Sequence, residues 1–340
     1  MFGDPASPKS PASSRHEDLN RPETSARRVW RKAYRSVGFN KGYNLPFFII
    51  FAGAVPGFCL SRLQYLNAAG DFASNTAPSE WYCFHTGHYR IGLTLHLATA
   101  LPAGLLMVWQ FVSFIRHRCL LFHRLNGYIV VVLLVLSNVG ALMIAGRAFG
   151  GDISTQAAVG VPAFITSGGL AIALYNIKRL QIDQHRTWML RTMVWAASII
   201  TGRILLRIAP AVANRVGSYY AVASCNEIAF EYGSLEAATL FYPQCAMDAV
   251  NTGMPENIST NLGVSFGVTV WISLFLHMVG MEVYIALTPA ESERLRVVSY
   301  EKQLEAGFDN PGSAGLTIER WGDATTWAPP RTAAASGQLT

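Results

Sequence analysis

The chain has 340 residues and a formal net charge of +6, with 51% hydrophobic and only 14% charged residues. Soluble domains carry about 25% charged residues, so this composition excludes an ordinary soluble globular protein. The basic residues flank apolar runs and form no groove interleaved with aromatic residues. The positive charge therefore indicates a membrane surface, and no nucleic-acid partner is expected.

Six apolar segments of about 20 residues each predict six transmembrane helices. The predicted helices lie near residues 45–62, 91–115, 127–146, 159–177, 188–209 and 264–288. The runs are long and continuous, whereas barrel strands would alternate in polarity over about ten residues. The predicted fold is an all-α integral membrane protein with a helical bundle over residues 44–288. Residues 1–43 and 289–340 are polar and are expected to be disordered termini.

Basic residues predict the orientation of the bundle. They precede the first helix and fill the connections between helices 2 and 3 and between helices 4 and 5. The long connection at 210–263 contains Arg215 as its one basic residue, against five acidic residues. Both termini are therefore predicted to be cytoplasmic, in the lipid bilayer of an endomembrane or the plasma membrane.

The predicted outer loop, 210–263, contains two features typical of that side. Asn257 begins an Asn-Ile-Ser triplet, which is an N-glycosylation acceptor. Cys225 and Cys245 are predicted to form a disulfide, which an oxidising compartment permits. Cys59 and Cys83 lie near the same predicted face and are a candidate second bridge, whereas Cys119 is expected to be a free thiol.

Polar residues near the predicted cytoplasmic end are the first candidate site, since polar groups are expensive inside a bilayer. Gln110 ends the second helix, and His123 and His185 open the third and fifth helices. Two imidazoles at similar depth on alternate helices can bind haem iron axially, or another transition metal. The sequence predicts haem b ligation by His123 and His185, with structural hydrogen bonding as the alternative.

A second candidate group lies toward the outer half. His96 and Arg203 are the candidate catalytic residues there, with Arg207 and His277 at nearby depths. This group suits an anionic, small apolar or quinone-like substrate. Arg191 and Glu282 lie at similar inner depth and are expected to neutralise each other. The simpler alternative is that arginines near helix ends snorkel to lipid headgroups.

The chain resembles the membrane family catalogued as domain of unknown function 2306. The resemblance is carried by HRLNGY at 123–128 and HRTWMLR at 185–191, together with His96, Gln110, Gly168-Gly169 and Arg203. It implies no established activity. The sequon, long loop and polar tails are typical of a fungal version. The histidine layout is similar to that of di-haem cytochromes of the b561 kind, but helix 4 offers no histidine opposite His96, which leaves at most one complete haem site.

The sequence is compatible with three functions. The leading hypothesis is a redox protein that binds one haem b through His123 and His185. The alternative is a membrane enzyme or accessory protein of a lipid or terpenoid-type biosynthetic pathway, using polar residues as general acids and bases. The third is a transporter, although the internal duplication common among transporters is missing.

Overall fold

A computed structural model describes residues 25–36, 41–77, 80–216, 225–243, 245 and 255–330. Within these ranges it describes every side chain except those of residues 113, 117, 255–258, 260 and 261. The described residues form helices, turns and short connections, and no β-strand occurs among them.

Six helices are long and apolar enough to cross a membrane, as predicted from the sequence. They are α1 Asn44–Leu66, α2 Gly87–Phe111, α3 Leu120–Ile144, α4 Ile153–Lys178, α5 Ile182–Val216 and α6 Leu262–Leu287. Helix α5 consists of two stretches, Ile182–Ala196 and Ser198–Val216, and α6 continues a helix that begins at Pro255. Several helices begin earlier than predicted, because polar residues such as His123 and His185 complete their first turns although they interrupt the apolar runs.

Glycines allow close packing at two crossings in the bundle. A Cβ atom on Gly140 of α3 would lie 2.6 Å from the backbone nitrogen of His96 in α2, so the two backbones meet there. Gly169 of α4 lies directly against the Thr192 side chain of α5, whereas Gly168 faces open space. Of this pair of glycines, Gly169 therefore permits the close helix packing that small residues provide in membranes, and Gly168 does not take part.

The polar C-terminal segment differs from the expectation of disorder over residues 289–330. It forms helix α7, Pro289–Glu305, and a loop that leads to a short helix at Ile318–Trp321. Gln303 and Gln181 are fully buried where this segment packs on the α4–α5 connection. The segment folds through hydrogen bonds between polar groups, which composition alone does not reveal. The N-terminal stretch 1–43 likewise contains a helix, Ser25–Ser36.

The bundle has two ends, which are named here by what they carry. The tail end holds α7, residues 116–124 and residues 178–186. The loop end holds residues 67–77, 80–86, 145–152, 225–243 and 245. Six crossings place the N-terminal helix and α7 at the same end, and Tyr284 of α6 hydrogen-bonds Asn44 of α1 there. The cytoplasmic location of the tail end remains a prediction from the distribution of charge.

Two of the five cysteines form a disulfide, and the other three are free thiols. The structure contains a disulfide between Cys225 and Cys245, whose Cα atoms are 5.2 Å apart. The suggested bridge between Cys59 and Cys83 is wrong, because both are free cysteines. Cys59 is buried among the helices of the bundle core, and Cys83 packs with the aromatic cluster at the loop end. Cys119 is free and exposed. The Asn257 side chain, the predicted glycan site, lies outside the described residues.

Candidate functional site

The tail-end cluster consists of Gln110, Arg116, His123, His185, Arg186 and Tyr284. It draws on α2, the short helix after it, α3, α5 and α6. His123 lies within electrostatic range of both His185 and Arg116. Arg116 in turn interacts with Arg186 and Tyr284. The two histidines that the sequence predicted as a pair therefore belong to one group of polar side chains.

His185 is held in a defined orientation. Its Nδ1 atom lies 2.9 Å from the backbone carbonyl oxygen of Ala173 in α4. Because a carbonyl oxygen only accepts hydrogen bonds, Nδ1 carries the proton. In the neutral imidazole the lone pair is then on Nε2, at the far side of the ring. This arrangement leaves Nε2 able to accept a proton or to bind a metal.

Three buried polar atoms of the cluster have no hydrogen-bond partner within the described part of the chain. They are Gln110 Nε2, His123 Nδ1 and Arg186 Nη1. Gln110 lies against Gly127, one turn beyond His123, with its Oε1 atom 3.5 Å from where a Cβ on Gly127 would be. Most buried polar side-chain atoms in proteins have a partner, so unpaired atoms gathered at one place are informative.

The cluster is electrostatically positive. Burial lowers the pKa of Arg116, and the neighbouring Arg186 guanidinium lowers it further. Glu291 of α7 is the acidic residue among the groups that interact with Arg116. It is already engaged by Arg294 through two hydrogen bonds of 2.8 and 2.9 Å, which hold the pKa of Glu291 below its ordinary value. The environment therefore favours a polar or anionic group.

The loop end contains a second group, built around Arg203 of α5. Its guanidinium carbon lies 5.1 Å from the ring centroid of Phe149 and 5.5 Å from that of Phe266. His96, which the sequence paired with Arg203, interacts with it electrostatically. The Nδ1 atom of His96 is 3.0 Å from the Ser137 carbonyl oxygen, so this ring is tethered in the same way as His185.

Glu80 is a member of the loop-end group that sequence reasoning missed. It accepts a 2.7 Å hydrogen bond from the backbone N–H of Phe149. Phe149 has a φ of 49°, a left-handed conformation that is uncommon for a residue with a side chain. Burial raises the pKa of Glu80 to about 7, against the opposing effects of the Phe149 hydrogen bond and Arg203. The signal in the sequence was a lone acidic residue in an otherwise neutral segment, 72–84.

Three other predicted polar residues form hydrogen bonds between helices. His277 uses both ring nitrogens, with Nδ1 2.7 Å from the Val194 carbonyl oxygen and Nε2 2.8 Å from Thr201 Oγ1. Arg191 and Glu282 form a two-bond ion pair at 2.6 and 2.7 Å, the mutual neutralisation that the sequence suggested. These residues stabilise contacts between α5 and α6.

A metal ion is usually held by several His, Cys, Asp or Glu side chains that lie close together. No group of three or more His, Cys, Asp or Glu side chains that could hold a metal ion occurs among the described residues. Axial haem ligation requires only two imidazoles, so His123 and His185 remain the residues that would hold such a group. His96 has no second histidine near it among its hydrogen-bond and electrostatic neighbours.

Comparisons with known proteins agree with this picture of a membrane protein. The chain is 23% identical over 323 residues to "Ava biosynthesis cluster protein G" of Aspergillus versicolor, a match that covers 78% of this chain and 94% of that protein. No solved structure matches the chain. The family model described as "Predicted membrane protein (DUF2306)" matches residues 93–229, which include His96, His123, His185 and Arg203. The resemblance to this membrane family, expected from the two His-Arg segments, is thus confirmed over residues 93–229.

Proposed function

We propose that this multi-pass membrane protein is an enzyme of a biosynthetic pathway, acting at the tail-end cluster on an apolar substrate with one polar or anionic group. The observation that carries the proposal is the set of three unpaired buried atoms, Gln110 Nε2, His123 Nδ1 and Arg186 Nη1. Leaving such atoms without partners is costly unless a ligand supplies them. The similarity to a protein named for a biosynthesis cluster supports the same class of function.

Each residue of the cluster has a role that its contacts suit. Gln110 and Arg186 would donate hydrogen bonds to the polar group of the substrate. The Nδ1–H group of His185 donates a hydrogen bond to the Ala173 carbonyl oxygen, and its Nε2 atom would accept a proton from the substrate. The protonated His185 would then return that proton to another atom of the substrate, and His123 would hydrogen-bond the polar group through its unpaired Nδ1 atom. No electrons are exchanged in this sequence, so an isomerisation or cyclisation needs no oxidant.

The first experiment separates the orientation of His185 from its chemistry. In His185→Asn the side-chain amide can still donate to the Ala173 carbonyl, but the Nε2 atom is lost. A strain that lacks the gene would be complemented with wild type, His185→Asn, His123→Asn or the control His88→Asn, whose ring is exposed at the loop end. Metabolites would be compared by mass spectrometry, and protein levels by immunoblot.

We expect wild type and His88→Asn to restore a product that the deletion strain lacks. The two cluster variants should restore less than a tenth of it, since general acid–base groups contribute about 10²–10⁴-fold to rates. Full restoration by both variants at equal protein levels would refute the assignment of the histidines.

A second candidate function, haem-based redox chemistry, is favoured by one observation. A histidine that binds a metal usually donates its other ring N–H to a carbonyl or carboxylate, as His185 does to Ala173. The reduced-minus-oxidised absorption spectrum of the purified protein distinguishes the candidates. A b-type band that disappears in both His123→Asn and His185→Asn supports haem ligation, and its absence in protein from haem-replete cells supports the non-redox enzyme.

A further inference from the structure

A groove lined by three arginines and four apolar residues lies at the loop end of the bundle. The proposed active site lies at the tail end. The groove encloses about 340 Å³ between α1 and α5. Its residues are Phe58, Arg62, Ile200, Arg203, Ile204, Arg207 and Ile208. No acidic residue lines it. We infer that this groove binds the phosphate headgroup of an anionic phospholipid from the surrounding leaflet, with the start of an acyl chain along Phe58 and Ile200.

The charge of the groove is available to a ligand. Arg62 contacts the rings of Phe58 and Tyr65, each at 5.4 Å, and Arg203 contacts Phe149 and Phe266. Neither these two arginines nor Arg207 has a hydrogen bond or ion pair in the part of the chain that the structure describes. Glu80 lies near Arg203 but is not part of the groove. Three arginines thus line one groove, and no carboxylate in the described part of the chain forms an ion pair with them.

The arrangement of polar and apolar residues matches an amphiphile. Helices α1 and α5 both run toward the loop end. Arg62 follows Phe58 by about one turn, and Arg207 follows Ile200 by about two turns. Phe58 and Ile200 therefore lie deeper in the membrane than the two arginines. A headgroup near the arginines would leave its chain pointing into the bilayer core, which is the orientation of a leaflet lipid.

The open side of the groove indicates where the ligand comes from. Ile204 and Ile208 are 61% and 57% exposed, and both lie within a membrane-spanning helix. The groove is consequently open to the lipid that surrounds this helix. A phosphate suits three arginines better than a carboxylate because it offers more acceptor oxygens, and each guanidinium can donate two parallel hydrogen bonds.

The test uses the full chain purified in detergent. Dioctanoyl phosphatidylglycerol and dioctanoyl phosphatidylcholine have the same chains and differ in net headgroup charge, so their dissociation constants are compared by native mass spectrometry. The variants are Arg207→Gln and Arg62→Gln, with Arg215→Gln as the control. Arg215 is exposed on the same helix, two turns beyond Arg207 and outside the groove.

We expect phosphatidylglycerol to bind at least tenfold more tightly than phosphatidylcholine. Each groove variant should lose about tenfold in affinity for phosphatidylglycerol, because a hydrogen bond to a charged group is removed. Arg215→Gln should bind like wild type. Arg207 is exposed, so its replacement should leave the melting temperature unchanged; should that variant not fold, the comparison of the two lipids on wild type still decides.

Three results would overturn the inference. Equal affinity for the two lipids would remove the role of the arginines. An equal loss in Arg215→Gln and Arg207→Gln would show nonspecific attraction to a basic surface. Inorganic phosphate or octanoate binding as tightly as phosphatidylglycerol would assign the groove to a soluble anion or a carboxylate, and not to a leaflet phospholipid.

Discussion

Replacing Gln303 of α7 with leucine should release the C-terminal segment from the bundle. The Gln303 side chain is fully buried and makes three hydrogen bonds. Its Nε2 atom donates to the Arg179 carbonyl oxygen at 2.8 Å and to Gln181 Oε1 at 3.0 Å. Its Oε1 atom accepts from the Gly312 backbone N–H at 2.6 Å. Leucine has a similar volume and offers none of these groups.

The loss of docking free energy can be estimated from the buried groups that would lose a hydrogen-bond partner. Gln181 Oε1 still accepts from Gly315 at 3.0 Å and loses little. The Gly312 N–H and the Arg179 carbonyl lose the Gln303 partner, and each buried unpaired group costs about 1–3 kcal/mol. The segment should therefore be destabilised by roughly 2–6 kcal/mol relative to its docked state. A change of 3 kcal/mol raises the open population about 100-fold.

Limited trypsin digestion measures this opening, because Arg320 lies in the docked segment. Cleavage there should be at least ten times faster in Gln303→Leu than in wild type when opening precedes cleavage in rapid equilibrium. Glu301→Leu is the matched control, since Glu301 is exposed on the same helix. Equal cleavage rates in wild type and Gln303→Leu would refute the buried network as the element that docks the tail.

Three further predictions concern the loop end and the bundle. Glu80 has a folded-state pKa of about 7, above its ordinary 4.5; the folded protein thus holds a proton that the unfolded chain releases, and up to about 3 kcal/mol of stability is lost as the pH rises through 7. The melting temperature should therefore fall between pH 5 and pH 8 in wild type and much less in Glu80→Gln. Cys225→Ala opens a loop whose ends are 20 residues apart and should cost about 3 kcal/mol of stability in that region; hydrogen exchange at residues 228–242 should rise in the variant, and dithiothreitol should reproduce the rise in wild type alone. Gly140→Leu places a side chain against the α2 backbone and should lower the melting temperature by several degrees, whereas Gly168→Leu should leave it within about two degrees because open space lies beside Gly168.

The membrane helices were predictable because the bilayer imposes one length on every crossing. The same reasoning brought His123 and His185 together, since helices 3 and 5 enter the membrane from the same side. It also paired Arg191 with Glu282 by depth. In each case the depth of a residue in the membrane was enough for the prediction, and this depth can be read from its position in a predicted helix.

The residues that were missed depend on lateral neighbours and on local backbone geometry. Glu80 reaches the Arg203 region because Phe149 adopts a left-handed conformation and turns its N–H toward the carboxylate. Arg62 joins Arg203 and Arg207 because α1 lies beside α5, although the two helices are distant in sequence. The docked tail was missed for another reason: its buried residues are glutamines, glycines and serines, which composition classes with disordered chain.

The docked tail also has a consequence for the proposed active site. Ser299 of α7 accepts a 2.8 Å hydrogen bond from the backbone N–H of Ile182, the first residue of α5, and donates one of 3.1 Å to Asp183. The His185 backbone N–H is bonded to the Gln181 carbonyl at 2.9 Å, within the same turn. Release of α7 would loosen this turn and the ring that it carries. Gln303→Leu should therefore lower product formation in the complementation assay, although Gln303 touches neither histidine, and Glu301→Leu should not. Product formation at the wild-type level in a variant with a demonstrably open tail would show that docking of α7 does not affect the proposed active site. The hydrogen bond of His185 to Ala173 would then be the sole element that positions the imidazole.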